Sequence, residues 1–469
     1  MGHPGQGMEG EARFLAEVEE AARRFRDIPA HLPVKLVSHL DADGLSSCAI
    51  LVRAMRRSGR LHAVRIVQTL DDQVLRELAR EHYAAFLFSD IGSGQLDLVA
   101  RHLHGRAVFV IDHHPPVAEA NGVVLVNPHL FGIGGTCGAA VAFLFARALD
   151  PANEDMAHLA IVGLLGDQQQ PDGGTLNRGI LEVARRAGRI RVARGLRLFG
   201  MRSRPLHKAL EYSTDPYIPG VSGSESGAIQ FLREIGISPK DGAAWRKVVD
   251  LGEEEMRALA TGIVLRRMDR EIPEDILGDV YLIEGEAEDT PLRDAKEFAT
   301  LLNACGRMDR SAAGIGACLG DGRLRSAALD TLVEYRRSIM SAMRWVERNP
   351  EAVRREKGYV LIDAGENIPH SIIGTVASML SRNREFQPGT LILSMAAHDR
   401  HLKLSLRSCG KSPADLGRLM GEISSCIPGA IGGGHASAAG ALVPTEQHDT
   451  LLHKAHEVLS RVAREERVA

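Results

Sequence analysis

Hydrophobic positions along this chain follow two rhythms. Short, nearly continuous apolar runs at 34–39 (VKLVSH), 85–90 (AFLFSD), 107–112 (AVFVID) and 122–127 (GVVLVN) predict strands buried on both faces. A helical period marks 11–29, ending near Pro29, and then 44–58, 71–82 and 94–103, between most of the strands. Strand–helix alternation of this kind predicts a parallel sheet covered on both sides. From 136 to 166 the chain turns helical and apolar. It is loop-rich at 213–227 and helical again through 228–270. A strand is predicted at 280–285 (VYLIEG), a helix at 293–307 and a long charged helix at 327–348, broken by Pro350. A smaller α/β unit then begins at 358–364 (GYVLIDA). It runs through 390–397 (TLILSMAA) and 401–408 (HLKLSLRS) to 429–441 (GAIGGGHASAAGA). The expected organisation is α/β: a parallel-sheet domain at 1–326 with a mostly helical insertion at about 200–300, a linker helix at 327–350, and a second domain at 351–469 with a cleft between the two. There is no internal repeat and no low-complexity tract.

Composition narrows the function classes. The 469 residues carry a net charge of −3, which argues against a uniformly basic nucleic-acid binder, so any basic footprint must be local. One candidate is 176–208, with ten Lys or Arg (178, 185, 186, 189, 191, 194, 197, 202, 204, 208) against the single acid Glu182. Aromatic residues make up 4%, too few for a broad stacking surface, although Phe199, Tyr212 and Tyr217 lie near that stretch. No run of 18 apolar residues predicts a membrane span, and the first residues lack the apolar core of a signal peptide. Six cysteines (48, 137, 305, 318, 409, 426) form no C-x-x-C pair, which fits reduced thiols and a cytoplasmic location.

Each of the first three strands ends in polar residues. "SHLDADG" brings His39, Asp41 and Asp43. "FLFSDIG" brings Asp90. "VFVIDHHPP" sets Asp112, His113 and His114 at the tip of an apolar strand, where two prolines stop further pairing. A fourth piece, "VGLLGDQQ", ends an apolar run at Asp167. If the first strand continued, alternation would point His39, Asp41 and Asp43 one way. Carboxylates gathered this closely repel unless a cation sits among them. Oxygen ligands mixed with imidazole suit Mn²⁺ or Mg²⁺, with Mn²⁺ favoured by the histidines. The ligand count is too large for one ion and fits two, which together activate a water and stabilise an in-line displacement at phosphorus. Singly, each piece reads equally well as a turn or helix cap. Four together at element ends do not.

HLDADG, SD, DHH and GD, in that order, resemble the four motifs of the DHH phosphoesterase superfamily, and "GGGHASAAG" (432–440) resembles the glycine-rich motif of the associated DHHA1 domain. Together with the length and "EFATLLNACGR", the chain is similar to the archaeal RecJ-like nucleases, including the GINS-associated nuclease. The resemblance implies that Asp41 and Asp43 hold one metal each, that Asp90 bridges them, and that His113 and Asp167 complete the coordination. It implies that His114 reaches the scissile phosphate or acts as general acid. His39 ligates or supports a ligand, and Asp112 ligates or orients a histidine. In the second domain Gly432, Gly433 and Gly434 would bring bare backbone N–H groups to an anion, aided by a helix starting near Ala436. His435, Ser405 and Arg407 would contact phosphate or a terminal nucleotide. The expected activity is a two-metal exonuclease of single-stranded DNA or RNA, reading backbone rather than sequence and serving replication or repair. The alternatives are a phosphodiesterase of oligoribonucleotides or cyclic dinucleotides, and a replisome scaffold that binds GINS.

Overall fold

The computed structural model describes residues 4–117, 121–198, 200, 203–213, 218–267, 277–382, 386–410 and 412–465. It divides into two compact units, 1–209 with 232–332, and 210–231 with 333–469. Phe199, Arg202 and Tyr217 lie outside the described residues.

The first unit opens with α1 (Pro4–Arg26) and then alternates β1 (Val34–His39), α2 (Ala42–Arg57), β2 (His62–Val67), α3 (Asp72–Ala79), β3 (Ala85–Ser89), α4 (Leu96–His102), β4 (Ala107–Ile111) and β5 (Val123–Val126). These strands form one parallel sheet in the order β2-β1-β3-β4-β5. The chain leaves β1 for β2 on one side and returns to β3 on the other, so the order reverses between β1 and β3. In a doubly wound sheet that reversal opens a crevice beyond the carboxyl ends of the strands. Val37, Phe86, Phe88, Val108 and Val110 pack one sheet face against Leu75 and Leu78 of α3 and Leu96 and Val99 of α4. On the other face Phe109 meets Phe25 of α1 edge-on at 5.3 Å. Burial on both faces is why these strands read as unbroken apolar runs. β2 escaped that reading because it is an edge strand, half exposed, with His62 and Arg65 interrupting its apolar residues.

Next come α5 (Gly138–Leu149), α6 (Ala157–Gly166), α7 (Gly174–Arg186), β6 (Ile190–Leu196), α8 (Leu206–Glu211), α9 (Glu225–Glu234), β7 (Lys240–Asp241), β8 (Ala244–Trp245), α10 (Glu253–Arg266) and β9 (Leu277–Ile283). β6 pairs antiparallel with β9, a sheet concealed in sequence by the arginines along β6. The pairing also explains the basic stretch. Arg191 meets Glu284 at 2.9 Å, Arg194 meets Asp279 at 3.4 Å and Arg185 meets Glu182 at 2.9 Å. Glu284 and Asp279, distant in sequence, therefore cancel part of a charge that looked opposed by Glu182 alone. α11 (Ala295–Arg307), α12 (Ser311–Leu319) and α13 (Gly322–Arg348) follow. α13 begins five residues before the predicted start, where Asp321 Oδ1 accepts a hydrogen bond from the Leu324 N–H at 2.9 Å.

The second unit contains β10 (Val353–Glu356), β11 (Tyr359–Asp363), α14 (His370–Leu380), β12 (Leu391–His398), β13 (His401–Ser408), α15 (Leu416–Ser425), β14 (Ile431–His435), β15 (Ala438–Pro444) and α16 (His448–Glu465). Its sheet runs β10-β11-β12-β13-β15-β14, antiparallel except between β11 and β12. Leu393, Met395, Leu402, Leu404 and Leu406 form its core with Leu419 and Ile423 of α15 and Leu451 and Val458 of α16. The helix expected near Ala436 is absent. Residues 431–444 form a β-hairpin, and the three glycines lie inside β14. Gly434 sits at φ +147°, and a Cβ there would come within 2.5 Å of the Ala438 carbonyl oxygen, so the glycine serves the tight turn. No helix of the described residues is long and apolar enough to cross a membrane.

Candidate metal centre

The centre lies at the carboxyl ends of β1, β3 and β4, on the turns that leave them. The alternation expected for His39, Asp41 and Asp43 does not occur, because the strand stops at His39 and a helix starts at Ala42. Asp41 is the N-cap of α2, accepting from the Gly44 N–H at 2.9 Å, and Asp43 stands in the first turn. Gly44 lets that turn close: a Cβ there would lie 2.4 Å from the His39 carbonyl oxygen. The sharp strand-to-helix turn still gathers all three side chains at one end of the sheet.

Asp90 follows β3 in the left-handed region, at φ +57°, uncommon for a residue other than glycine. Its side chain is 2% exposed. One oxygen, Oδ2, faces His39 Nδ1 at 3.7 Å. The other, Oδ1, faces His113 Nε2 at 3.4 Å and accepts no hydrogen bond. His39 Nδ1 also lies 3.1 Å from Asp41, and His113 lies 3.7 Å from Asp43 and 3.9 Å from Asp167. Three overlapping groups have donor atoms within 4.8 Å of one another: His39–Asp41–Asp90, Asp43–His113–Asp167, and Asp90–Asp112–His113–His114. Asp90 offers one oxygen to each of the first two.

Helix α5 closes the floor. Both oxygens of Asp43 accept backbone N–H groups at its N-terminus, from Gly138 at 2.6 Å and Ala139 at 2.8 Å. This is the favourable end of a helix for an anion. Gly138 has no Cβ because one would sit 2.6 Å from Asp90 Oδ1. Gly163 of α6 has none because one would sit 2.6 Å from Asp43 Oδ1. Asp167 caps the C-terminal end of α6 and accepts from Gln169 Nε2 at 3.2 Å.

Asp112 is placed differently. It is fully buried, and its oxygens accept from the N–H groups of Ser93 (2.9 Å), His113 (2.8 Å) and His114 (3.3 Å) while Oδ1 also lies 2.8 Å from His114 Nδ1. That geometry clamps His114 and leaves Asp112 few lone pairs for anything else. Burial opposes its ionisation, but the two histidines and the Ser93 N–H hold its carboxyl below the usual range.

The other shifts show what the centre lacks. Burial and then the neighbouring Asp90 push Asp43 well above the usual carboxylate range. Burial works against a charge on His113, yet Asp90 and Asp43 raise it to about 10. Burial likewise opposes charge on His39, but Asp41 and Asp90 hold it well above the usual range. The cluster draws positive charge inward. An unpartnered buried carboxylate oxygen among five carboxylates and three imidazoles is a donor set suited to divalent cations of the Mn²⁺ or Mg²⁺ type.

Four further residues were assigned no role in the sequence reading, because none bears a charge that stands out, although two of them lie within "EFATLLNACGR". Asn127, fully buried, donates from Nδ2 to Ser93 Oγ at 2.9 Å and to the His114 carbonyl at 2.8 Å, fixing the DHH turn from behind. On α11, Asn303 accepts from the Ala42 N–H at 3.0 Å, and Gly306 packs against the Leu40 carbonyl. The "NP" that ends β5 and the "NACG" of α11 were the available signals. Asn127→Ala should lower turnover about 10- to 100-fold with little loss of thermal stability, the usual scale for a residue that orients a ligand. Steady-state kinetics beside a melting curve checks this. Unchanged turnover would remove Asn127 from the site.

The residues expected to bind substrate lie in the second unit. Arg407 donates from Nε to Ser378 Oγ at 2.9 Å and from Nη1 to the Leu406 carbonyl at 2.8 Å. Ser405 is its neighbour on the same face of β13, buried beneath Gly374 of α14. Gly432 packs on Ser424, whereas a Cβ on Gly433 would meet open space. His435 ends β14, exposed.

Three family models match this chain. The model of the DHH family N-terminal domain matches residues 33–164, that of the DHH-CID domain matches 198–280, and that of the DHHA1 domain matches 357–461. An uncharacterized protein of Methanocaldococcus jannaschii is 29% identical over 473 residues, 96% of this chain and 99% of that protein. The single-stranded-DNA-specific exonuclease RecJ of Thermus thermophilus is 33% identical over 173 residues, 34% of this chain and 25% of that protein. Among solved structures, exonuclease RecJ bound to manganese superposes with a TM-score of 0.58 at 18% identity, covering 95% of this chain and 94% of that one. CDC45 from Entamoeba histolytica superposes with a TM-score of 0.64 at 11% identity, covering 97% and 99%. Both likenesses are of fold.

Proposed function

The chain is a DHH/DHHA1 RecJ-like protein, and on that premise we propose that it is an exonuclease that hydrolyses phosphodiester bonds of single-stranded DNA or RNA with two divalent cations, Mn²⁺ in preference to Mg²⁺. The observation that carries this reading is Asp90, whose two oxygens face two separate ligand groups while one of them has no hydrogen-bond partner. His39 and Asp41 would hold one ion, Asp43, His113 and Asp167 the other, and Asp90 both. Bound there, the ions would supply Lewis acidity, easing deprotonation of water and neutralising charge on the phosphate.

The chain's own groups do the rest. The α5 N-terminus fixes Asp43. Asp112 holds His114 through Nδ1, which leaves Nε2 to contact the scissile phosphate or to protonate the leaving oxygen. Ser405, Arg407 and the face beside β14 would take phosphates of the strand, with Gly433 and His435 at its edge and Gly432 and Gly434 shaping it. DHH at 1–326, a linker helix at 327–350 and DHHA1 at 351–469 remain the proposed division of labour.

A second reading is favoured by the likeness to the CDC45 fold, that of a replisome scaffold binding GINS. Against it stands the full set of Asp41, Asp43, Asp90, His113 and Asp167, which a scaffold does not need. Single strands of DNA and RNA labelled at either end, incubated with Mn²⁺, separate the readings. Progressive shortening establishes the nuclease and gives its polarity. Cleavage of dinucleotides alone would point to a small-substrate phosphodiesterase. Metal binding without cleavage, together with co-migration with GINS, would favour the scaffold.

A further inference from the structure

β13 presents Lys403, Ser405 and Arg407 on the face opposite the leucine core, because Leu402, Leu404 and Leu406 point the other way. Register extends each position across the sheet. Ser405 stands between Ser394 of β12 and Gly440 of β15, and Gly440 stands beside Gly433 of β14. Paired residues share a face, so this row reads Ser, Ser, Gly, Gly and forms a floor almost without side chains. Gly374 of α14 lies across it, where a Cβ would come within 3.2 Å of Ser405 Oγ and 3.6 Å of Arg407 Nη2.

Lys403 belongs to the next row, yet its ammonium does not stay there. Nζ leans back over the floor, 3.9 Å from where a Cβ on Gly440 would be. It forms no hydrogen bond or ion pair with any described residue. Burial, and after it the Arg407 guanidinium, hold that ammonium below the usual lysine range. A half-buried cation turned toward a second cation, over bare glycine and without a carboxylate, is unfavourable unless an anion joins them.

We infer that Lys403 is a second phosphate subsite, placed so that Arg407 and Lys403 hold successive phosphates of one strand beside the open Gly440–Gly433 end of the floor. Lys403 and Arg407 stand two rows apart on β13, and Nζ leaning back by about one row, roughly 6.8 Å, shortens the gap toward the step between neighbouring phosphates of an extended strand. The Ser394–Ser405 end of the row is covered by α14, and the open Gly440–Gly433 end is bare so that a sugar–phosphate backbone can lie on it. The subsite recognises backbone charge and no base, so it selects for strand length rather than sequence.

This rests on the single-strand reading above, and the test separates the two. Binding of a fluorescent single-stranded oligonucleotide is measured by anisotropy over a salt series. The full chain carries Asp90→Asn to keep the strand intact, with Lys403 present or replaced. Lys403→Gln should weaken binding roughly three- to ten-fold and flatten the slope of log affinity against log salt by about 0.7, the loss of one phosphate contact to a single strand. Lys403→Arg should restore the slope. Its melting temperature should not fall in Lys403→Gln, since removing a cation facing Arg407 relieves repulsion. An unchanged slope in Lys403→Gln overturns the subsite and leaves the nuclease standing. If the protein with Lys403 intact binds no strand at any salt, the single-strand reading falls and takes the subsite with it.

Discussion

Asp90→Asn should abolish strand hydrolysis and at the same time stabilise the metal-free protein. The carboxylate faces both ligand groups, so its loss removes a contact to each proposed ion. Several kcal/mol of transition-state stabilisation depend on such ions, which corresponds to a fall of about 10³-fold or more in rate. Stability should move the other way. In the absence of metal the Asp90 carboxyl is buried close to Asp43, where burial and Asp90 together push Asp43 well above the usual carboxylate range. An amide keeps the size and drops the charge. Asparagine is also the right replacement for the backbone, since it tolerates φ +57° better than alanine, whose cost there is roughly 1–2 kcal/mol. The measurements are a gel assay of strand shortening and melting curves in EDTA and in Mn²⁺. Wild type should gain melting temperature on adding Mn²⁺, and Asp90→Asn should gain far less. Wild-type turnover in Asp90→Asn would remove the two-ion reading.

Gly306→Ala should be among the most destabilising single changes in the first unit. A Cβ at this position would lie 1.7 Å from the Leu40 carbonyl oxygen, inside any tolerable contact. The obstacle is backbone, held between His39 at the end of β1 and Asp41 at the cap of α2, so it cannot turn aside as a side chain would. Either α11 retreats, uncoupling Asn303 from the Ala42 N–H, or the first motif shifts. Overpacking of this kind costs about 3 kcal/mol, at or beyond the upper end of its usual range. Urea unfolding should show an earlier midpoint with little change in slope. The protein that remains folded should also turn over more slowly, because the displacement reaches His39 and Asp41. Wild-type stability in Gly306→Ala would remove the close approach of α11 to the Leu40 carbonyl as a constraint on the first motif.

Both expectations depend on residues whose importance differs greatly in legibility. Asp90 could be picked out in the sequence, since a carboxylate at the end of an apolar strand is conspicuous beside three similar pieces. Gly306 could not. It lies within "EFATLLNACGR", yet nothing in that run marks this one glycine of 48, and only the approach of α11 to Leu40 gives it a role. Asn127 and Ser93 belong with Gly306. They are buried and uncharged, and their partners, the His114 carbonyl and the Asp112 carboxylate, lie 13 and 19 positions away along the chain.

Sequence by itself determined the parallel α/β plan, the smaller second unit and the gathering of His39, Asp41, Asp43, Asp90, His113 and Asp167. It could do so because burial on both faces writes itself into unbroken apolar runs, and a polar group that ends such a run is exposed to view. Tertiary structure alone decided the rest. It placed the reversal of strand order between β1 and β3, turned Asp112 toward His114, cancelled part of the charge at 176–208 and made a hairpin where a helix was expected near Ala436. These follow from pairings between distant segments. A strand's register, an acid's partner and the space beside a glycine are properties of what lies opposite, which the local pattern of a chain does not encode.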